Sequence, residues 1–179
     1  MADSPERELV VLGATLQGFA QACINLNIVA GSEAASMLRQ VDVFGWYPFD
    51  RLREIERIVI ASYENSGPIL ERVGIEMMLG WYKFGPGKEI IDKGVSFLTF
   101  QSGSEGYHSV VNGPEELVGS FDLAQIDEES GTALIHSTDP FNKDLERGVI
   151  IGGMSAPGDL DYIDVNNSED RHYFRVEFH

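Results

Sequence analysis

The last third of the chain limits the possible folds more than any other stretch. FDLAQI (121–126) leads through the acidic turn Asp127-Glu128-Glu129-Ser130-Gly131 into TALIHST (132–138). β-Branched and aromatic residues bounded by turn formers predict a hairpin. After Asp139-Pro140, the apolar residues of FNKDLERGVIIGGM recur at helical spacing. LDYIDV, the turn Asn166-Asn167-Ser168-Glu169-Asp170 and RHYFRVEF then predict a second hairpin. The order ββαββ requires a small antiparallel sheet with one helix lying on it. That helix carries Gly148, Gly152 and Gly153, although glycine is unfavourable inside helices. Gly148 and Gly152 fall one turn apart on one face, where the missing side chains let another element pack closely.

Upstream, the pattern is helical. Ser4-Pro5-Glu6 resembles a helix start, and Leu9, Leu12, Leu16, Phe19, Cys23 and Leu26 follow at spacings of three and four. This seam predicts either a helix packed on the core or a surface for a homodimer through Leu9, Leu12, Leu16, Phe19 and Leu26. Gly31-Ser32-Glu33 opens a second helix, AASMLRQV, and Asp42 to Phe49 reads as an aromatic loop. Asp50 begins the helix RLREIERIVIASY, which Asn65-Ser66-Gly67-Pro68 ends. The next helix carries Ile69, Leu70, Val73, Met77 and Trp81 and stops before Gly85-Pro86-Gly87. Another is predicted from Lys88 to about Gln101, and a further helical turn after Pro114. The expected fold class is α+β: a helical N-terminal half (about 1–118) packed on a C-terminal four-stranded antiparallel sheet of ββαββ order (about 121–179), in one domain spanning 1–179.

Composition narrows the partners. The net charge of −16 sets the chain against phosphate backbones and anionic lipid, so neither nucleic acid nor membrane is an expected partner. A single cysteine, Cys23, permits no intrachain disulfide, and the acidic N-terminus has no secretory pattern, which predicts a cytoplasmic protein.

The chemical motifs are mostly negative. There is no GxxxxGK(S/T) and no GxGxxG after a strand, and Gly153 to Gly158 is one residue too long for a GxSxG elbow. His136 and Ser137 are neighbours on a predicted strand, so their side chains leave opposite faces. Asp159 and Asp161 are expected to share a strand face without forming a calcium loop. None of His108, His136, His172 and His179 belongs to an HxxxH or HExxH pair, so no metal site is predicted. With no nucleophile or acid–base constellation, catalysis is not expected.

STDPFNKDLERGVIIGGM, DYIDV and YFRVEF together resemble the C-terminal part of a superfamily. It joins heme nitric oxide/oxygen binding (H-NOX) domains, 4-vinyl-reductase-type ligand-binding domains and TRAPP tethering subunits. Trp46-Tyr47-Pro48 to Glu64, followed by Asn65 to Trp81, is similar to the paired helices of H-NOX domains. The resemblance implies a hydrophobic pocket between the helical half and the sheet. In H-NOX proteins a histidine before the sheet ligates heme iron, and His108 sits where that ligand is expected. In the same proteins a Tyr-x-Ser-x-Arg motif on the second strand holds the heme propionates. The corresponding stretch here, Ile135-His136-Ser137-Thr138-Asp139, keeps the serine and lacks the tyrosine and the arginine.

Three readings stay open. The first is a non-enzymatic signalling module holding a small hydrophobic ligand, its pocket lined by Trp46, Tyr47, Phe49, Met77, Met78, Trp81, Phe84 and Phe97. The second is a heme-based gas sensor with His108 as axial ligand. The third is a homodimeric interaction module without a ligand.

Overall fold

The computed structural model describes residues 8–28 and 31–179. A short sheet closes the helical half. β1 (Val10–Leu12) is its middle strand, flanked antiparallel by β2 (Trp46–Pro48) and β3 (Val111–Asn112). Around it run α1 (Gly13–Asn25), α2 (Gly31–Gln40), α3 (Asp50–Ser62), α4 (Gly67–Phe84), α5 (Gly87–Ile90) and α6 (Gly94–Ser102), and after β3 comes α7 (Glu115–Val118). The second half is β4 (Phe121–Asp127), β5 (Thr132–Ser137), α8 (Lys143–Ser155), β6 (Ile163–Asn167) and β7 (Tyr173–Phe178). Its four strands form an antiparallel sheet in the order β4-β5-β7-β6, as the ββαββ pattern requires. No described helix is long and apolar enough to cross a membrane.

The predicted helix across Leu9 to Leu26 divides differently. Its proposed start at Ser4 lies outside the described residues. Val10, Val11 and Leu12 pair as a strand, where β-branched residues fit the pleat, and the helix begins only at Gly13. A Cβ on Gly13 would lie 1.8 Å from the Asp42 carbonyl oxygen, so only glycine lets this corner close. Leu16, Phe19 and Cys23 are fully buried and Leu9 nearly so, while Leu12 and Leu26 are half-buried. α1 packs on α2, α3 and α4, so the seam faces the chain's own interior.

Two other differences follow. The stretch expected to be an aromatic loop contains β2. The helix expected from Lys88 to Gln101 breaks after Ile90 and resumes at Gly94, where a Cβ would stand 2.2 Å from the Met154 carbonyl oxygen. Asp159, expected on a strand, instead accepts a hydrogen bond from the Gly94 backbone N–H at 2.8 Å and so starts α6.

α8 is the centre of the packing. It lies against α4, α6 and β6, and its glycines are where the backbones meet. A Cβ on Gly148 would come within 2.0 Å of the Glu71 carbonyl oxygen, and one on Gly74 within 2.3 Å of the Leu145 carbonyl oxygen. Arg147 fastens the crossing, donating from Nε to the Val165 carbonyl and from Nη1 to Glu71 on α4.

One buried carboxyl interrupts the apolar core of the helical half. Glu56 on α3 is 7% exposed, and its Oε1 has no hydrogen-bond partner. Burial pushes its pKa up to about 7 against the opposing pull of Arg53 and Arg57. The folded chain therefore holds this proton more tightly than the unfolded chain does. That contribution is fully present below the ordinary value of 4.5 and is lost as pH rises through about 7.

Two predictions follow from this packing. Gly148→Ala and Gly74→Ala each cost about 3 kcal/mol through overpacking at the α4–α8 crossing. Gly80→Ala, on the same α4 with nothing within 4 Å of its Cβ, gains roughly 0.5–1 kcal/mol instead. Urea unfolding of the three variants checks both signs. For Glu56→Gln, the stability relative to wild type rises by roughly 3 kcal/mol between about pH 4 and about pH 8, measured by the same method.

Candidate functional site

The pleat of β5 points Ala133, Ile135 and Ser137 into the core and leaves His136 half-exposed beside Asp122 and Tyr173. Ser137 is thus a polar residue at the end of an apolar row, with no exposure at all. The chain turns after it, and Asn142 caps α8 by accepting from the backbone N–H groups of Asp144 and Leu145. This short corner brings four polar side chains together inside the protein.

Lys143 is their hub. Its Nζ donates to Ser137 Oγ at 2.9 Å, to Asp139 Oδ1 at 3.2 Å and to Glu146 Oε2 at 2.7 Å. Ser137 Oγ donates to Asp139 Oδ2 at 3.1 Å, and the Phe141 backbone N–H donates to Asp139 Oδ1 at 3.0 Å. Asp139 and Glu146 are 7% and 4% exposed. Two buried carboxyls thus share one ammonium, and Glu146 Oε1 has no hydrogen-bond partner. Burial first, then the Asp139 carboxylate beside it, pushes the Glu146 pKa well above the usual carboxyl range, while Lys143 opposes the shift.

From the sequence, Ser137 and Asp139 stand out only against nucleophile and propionate motifs, and Lys143 and Glu146 do not stand out at all. Lys143 and Glu146 are spaced i,i+3 in a helix whose first turn is polar, and such a pair usually marks a solvated face. The one available signal was Ser137 on the inward register of β5, followed closely by acids on a helix that must itself be buried.

The helical half meets the cluster through aromatic rings. Phe49 packs edge-to-face on Phe141 at 5.1 Å, and Tyr107 packs on Phe141 at 6.2 Å. Tyr107 is 1% exposed and its hydroxyl donates to the Val118 carbonyl. Burial, then the carboxylates of Asp139 and Glu146, push its phenol pKa upward, so it stays neutral.

The eight residues expected to line a pocket fall into several environments. Phe49 and Phe97 are fully buried. Trp81 is half-buried, stacking on Phe100 at 5.3 Å and meeting Phe97 edge-on at 6.4 Å. Met77 lies 3.8 Å from the Cβ position of Gly18 on α1, and Met78 packs against Gly152 on α8. Tyr47 is half-buried; its hydroxyl accepts from the Asp42 N–H at 2.8 Å and Arg51 lies over its ring. Trp46 and Phe84 face solvent at 45% and 82% exposure.

Two surface clefts occur elsewhere. One of about 400 Å³ beside the start of α4 is lined by Glu71, Asp144 and Arg147 among others. Another of about 430 Å³ lies near α6 and the β4–β5 turn, with Glu128, Glu129, Asp159 and Glu177 in its wall. None of the eight residues, and not His108, lines either cleft. Among the described residues, no three His, Cys, Asp or Glu side chains are grouped to hold a metal ion.

Heme, implied by the resemblance, can be tested against these side chains. His108 is exposed on a 3-10 turn (Tyr107–Ser109), its ring edge-on to Tyr107 at 5.1 Å. The ring that reaches the interior is Tyr107, a neutral phenol already bonded to a carbonyl. Where a cation for propionates is expected, the chain places Asp139, and the neighbouring Lys143 is already shared by two carboxyls. A further pair of carboxylates there would be left without cations in a buried site. The residues present do not fit heme in this conformation.

The sequence matches no protein family and no curated protein. Similarity to solved structures is extensive. An H-NOX protein from S. oneidensis in the Fe(II)NO ligation state aligns at a TM-score of 0.68 and 10% identity, covering 94% of this chain and 99% of that one. An oxygen-binding H-NOX domain related to soluble guanylate cyclases, solved as its oxygen complex, aligns at 0.64 and 13%, covering 93% and 94%. The chain has an H-NOX-like fold along nearly its whole length.

Proposed function

We propose that this chain is a non-catalytic sensor domain, in which a change at the contact between the helical half and the sheet-bearing half is passed to a protein partner. The observation that carries the reading is the H-NOX-like fold, which extends over 93–94% of the chain and is shared with domains solved as oxygen and nitric oxide complexes. The internal arrangement supports it. The two halves meet where the glycines of α4 and α8 cross, where α6 packs on α8 and β4, and at the Phe49–Phe141–Tyr107 group, so a shift in one half is felt by the other.

A second reading, a heme-based gas sensor with His108 as axial ligand, draws the more direct support from the solved relatives, which include an oxygen complex, an Fe(II)NO state and a protein described by its heme redox potential. It requires His108 to exchange places with Tyr107 and the Asp139–Lys143–Glu146 cluster to open. When bound, heme would supply the gas-binding iron.

Titration of the purified chain with reduced and oxidised heme separates the two. The first reading expects no stoichiometric Soret band and no rise in melting temperature, in wild type and His108→Ala alike. A one-to-one Soret band that His108→Ala abolishes replaces it with the second.

A further inference from the structure

Glu146 presents a problem that charge and geometry solve in only one way. Its Oε2 takes the Lys143 proton donor at 2.7 Å, while Oε1, in a residue 4% exposed, faces no donor. Asp139, fully engaged by Lys143, Ser137 and the Phe141 N–H, is the other carboxyl of the cluster. Two ionised carboxylates against one ammonium would leave a net negative charge uncompensated inside the protein. A proton on the Glu146 carboxyl removes that charge and lets this group donate a hydrogen bond to the neighbouring Asp139 carboxylate.

Among the described residues, the charged groups on the surrounding elements are engaged elsewhere. Arg147 turns to Glu71 of α4 and the Val165 carbonyl, and Asp144 is paired with Arg171. α6 has no titratable side chain in the sequence GVSFLTFQS. Asp164 of β6 accepts from Asn166. From the 3-10 turn only the neutral Tyr107 faces the cluster, and it brings no charge.

We propose that Asp139, Lys143 and Glu146 form a proton-operated latch between the β5–α8 corner and the helical half. It is closed while one proton sits on the Glu146 carboxyl and loosened when that proton leaves to water. The consequence is mechanical because Phe141, between Asp139 and Lys143, is the residue that Phe49 and Tyr107 of the helical half pack on. Loss of the proton sets two carboxylates in one buried site, and the corner carrying Phe141 gives way. The latch is thus a proton input to the domain. It goes beyond the sensor reading and does not rest on heme or on any other ligand.

The sign follows from linkage. A carboxyl whose folded pKa is raised stabilises the fold fully below its ordinary value of 4.5, and the contribution is lost as pH rises through the folded value. Melting temperatures of the full chain between about pH 5 and about pH 8, for wild type, Glu146→Gln and Asp139→Asn, test this. Glu146→Gln is isosteric with the acid form, and Asp139→Asn removes the like charge that opposes ionisation. Taking differences from wild type cancels the titration of Glu56, which all three share.

The expected result is that wild type loses roughly 4 °C per pH unit relative to both variants over part of this range. Amide hydrogen exchange at Phe141, Leu145 and Glu146, corrected for its intrinsic pH dependence, accelerates with pH in wild type alone. Parallel melting curves for wild type and Glu146→Gln overturn the proposal. So does a Glu146→Gln chain that fails to fold, since the acid form would then not be the native one.

Discussion

The contact between the backbones of α4 and α8 holds the rest of the molecule in place. Ordinary helices stand about 8–10 Å apart because side chains separate them. Here Gly74 on one helix and Gly148 and Gly152 on the other remove that spacer, and carbonyl groups approach the Cα atoms directly. Gly153 repeats the arrangement toward the Phe97 ring of α6. α8 also carries the sheet through β6, so the sheet-bearing half is positioned on the helical half chiefly through α8, with α6 against β4 beside it. Such a contact tolerates little intermediate displacement, since a backbone either fits against its neighbour or is held away from it.

That rigidity explains why a costly charge cluster can persist at the start of α8. The helix axis is fixed by glycines further along, so its first turn keeps Lys143 and Glu146 inside for as long as the Glu146 carboxyl holds its proton. The energetic answer is local: a serine, a lysine and a main-chain N–H for Asp139, and a proton for Glu146. Apolar residues of similar volume would serve stability as well or better. A buried polar group of this kind stabilises the fold less than it makes the fold conditional on solution state.

Much of the architecture was legible in the sequence where period and punctuation agreed. Both hairpins, α8 with its glycine face, and α4 between Gly67-Pro68 and Gly85-Pro86 follow from patterns a few residues long. The elements that were misread depend on partners distant in sequence. β1 reads as the beginning of a helix because only pairing with residues 46–48 and 111–112 makes it a strand. The helix expected from Lys88 divides, and its second piece starts at Gly94 against the Met154 carbonyl with Asp159 accepting from its first N–H. The candidate site fared similarly. The aromatic residues are spread over several contacts, whereas Lys143 and Glu146 have the i,i+3 spacing of an ordinary exposed pair and are brought inside only by the burial of α8 on that face.

β1 carries a consequence for how the chain matures. It is the middle strand of its sheet, yet its two partners lie on opposite sides of most of the helical half, and Val10 pairs with Asn112. A chain emerging vectorially from a ribosome can form β1–β2 early, but the small sheet cannot close until β3 has been synthesised. The loop this joins contains α1 to α6, so the conformational freedom lost on closure is large while the bonds gained are few. During that interval the first strand keeps an unpaired edge, available to any other extended segment. The nascent helical half is thus most exposed to mispairing just before the sheet-bearing half, and with it α8, begins to appear.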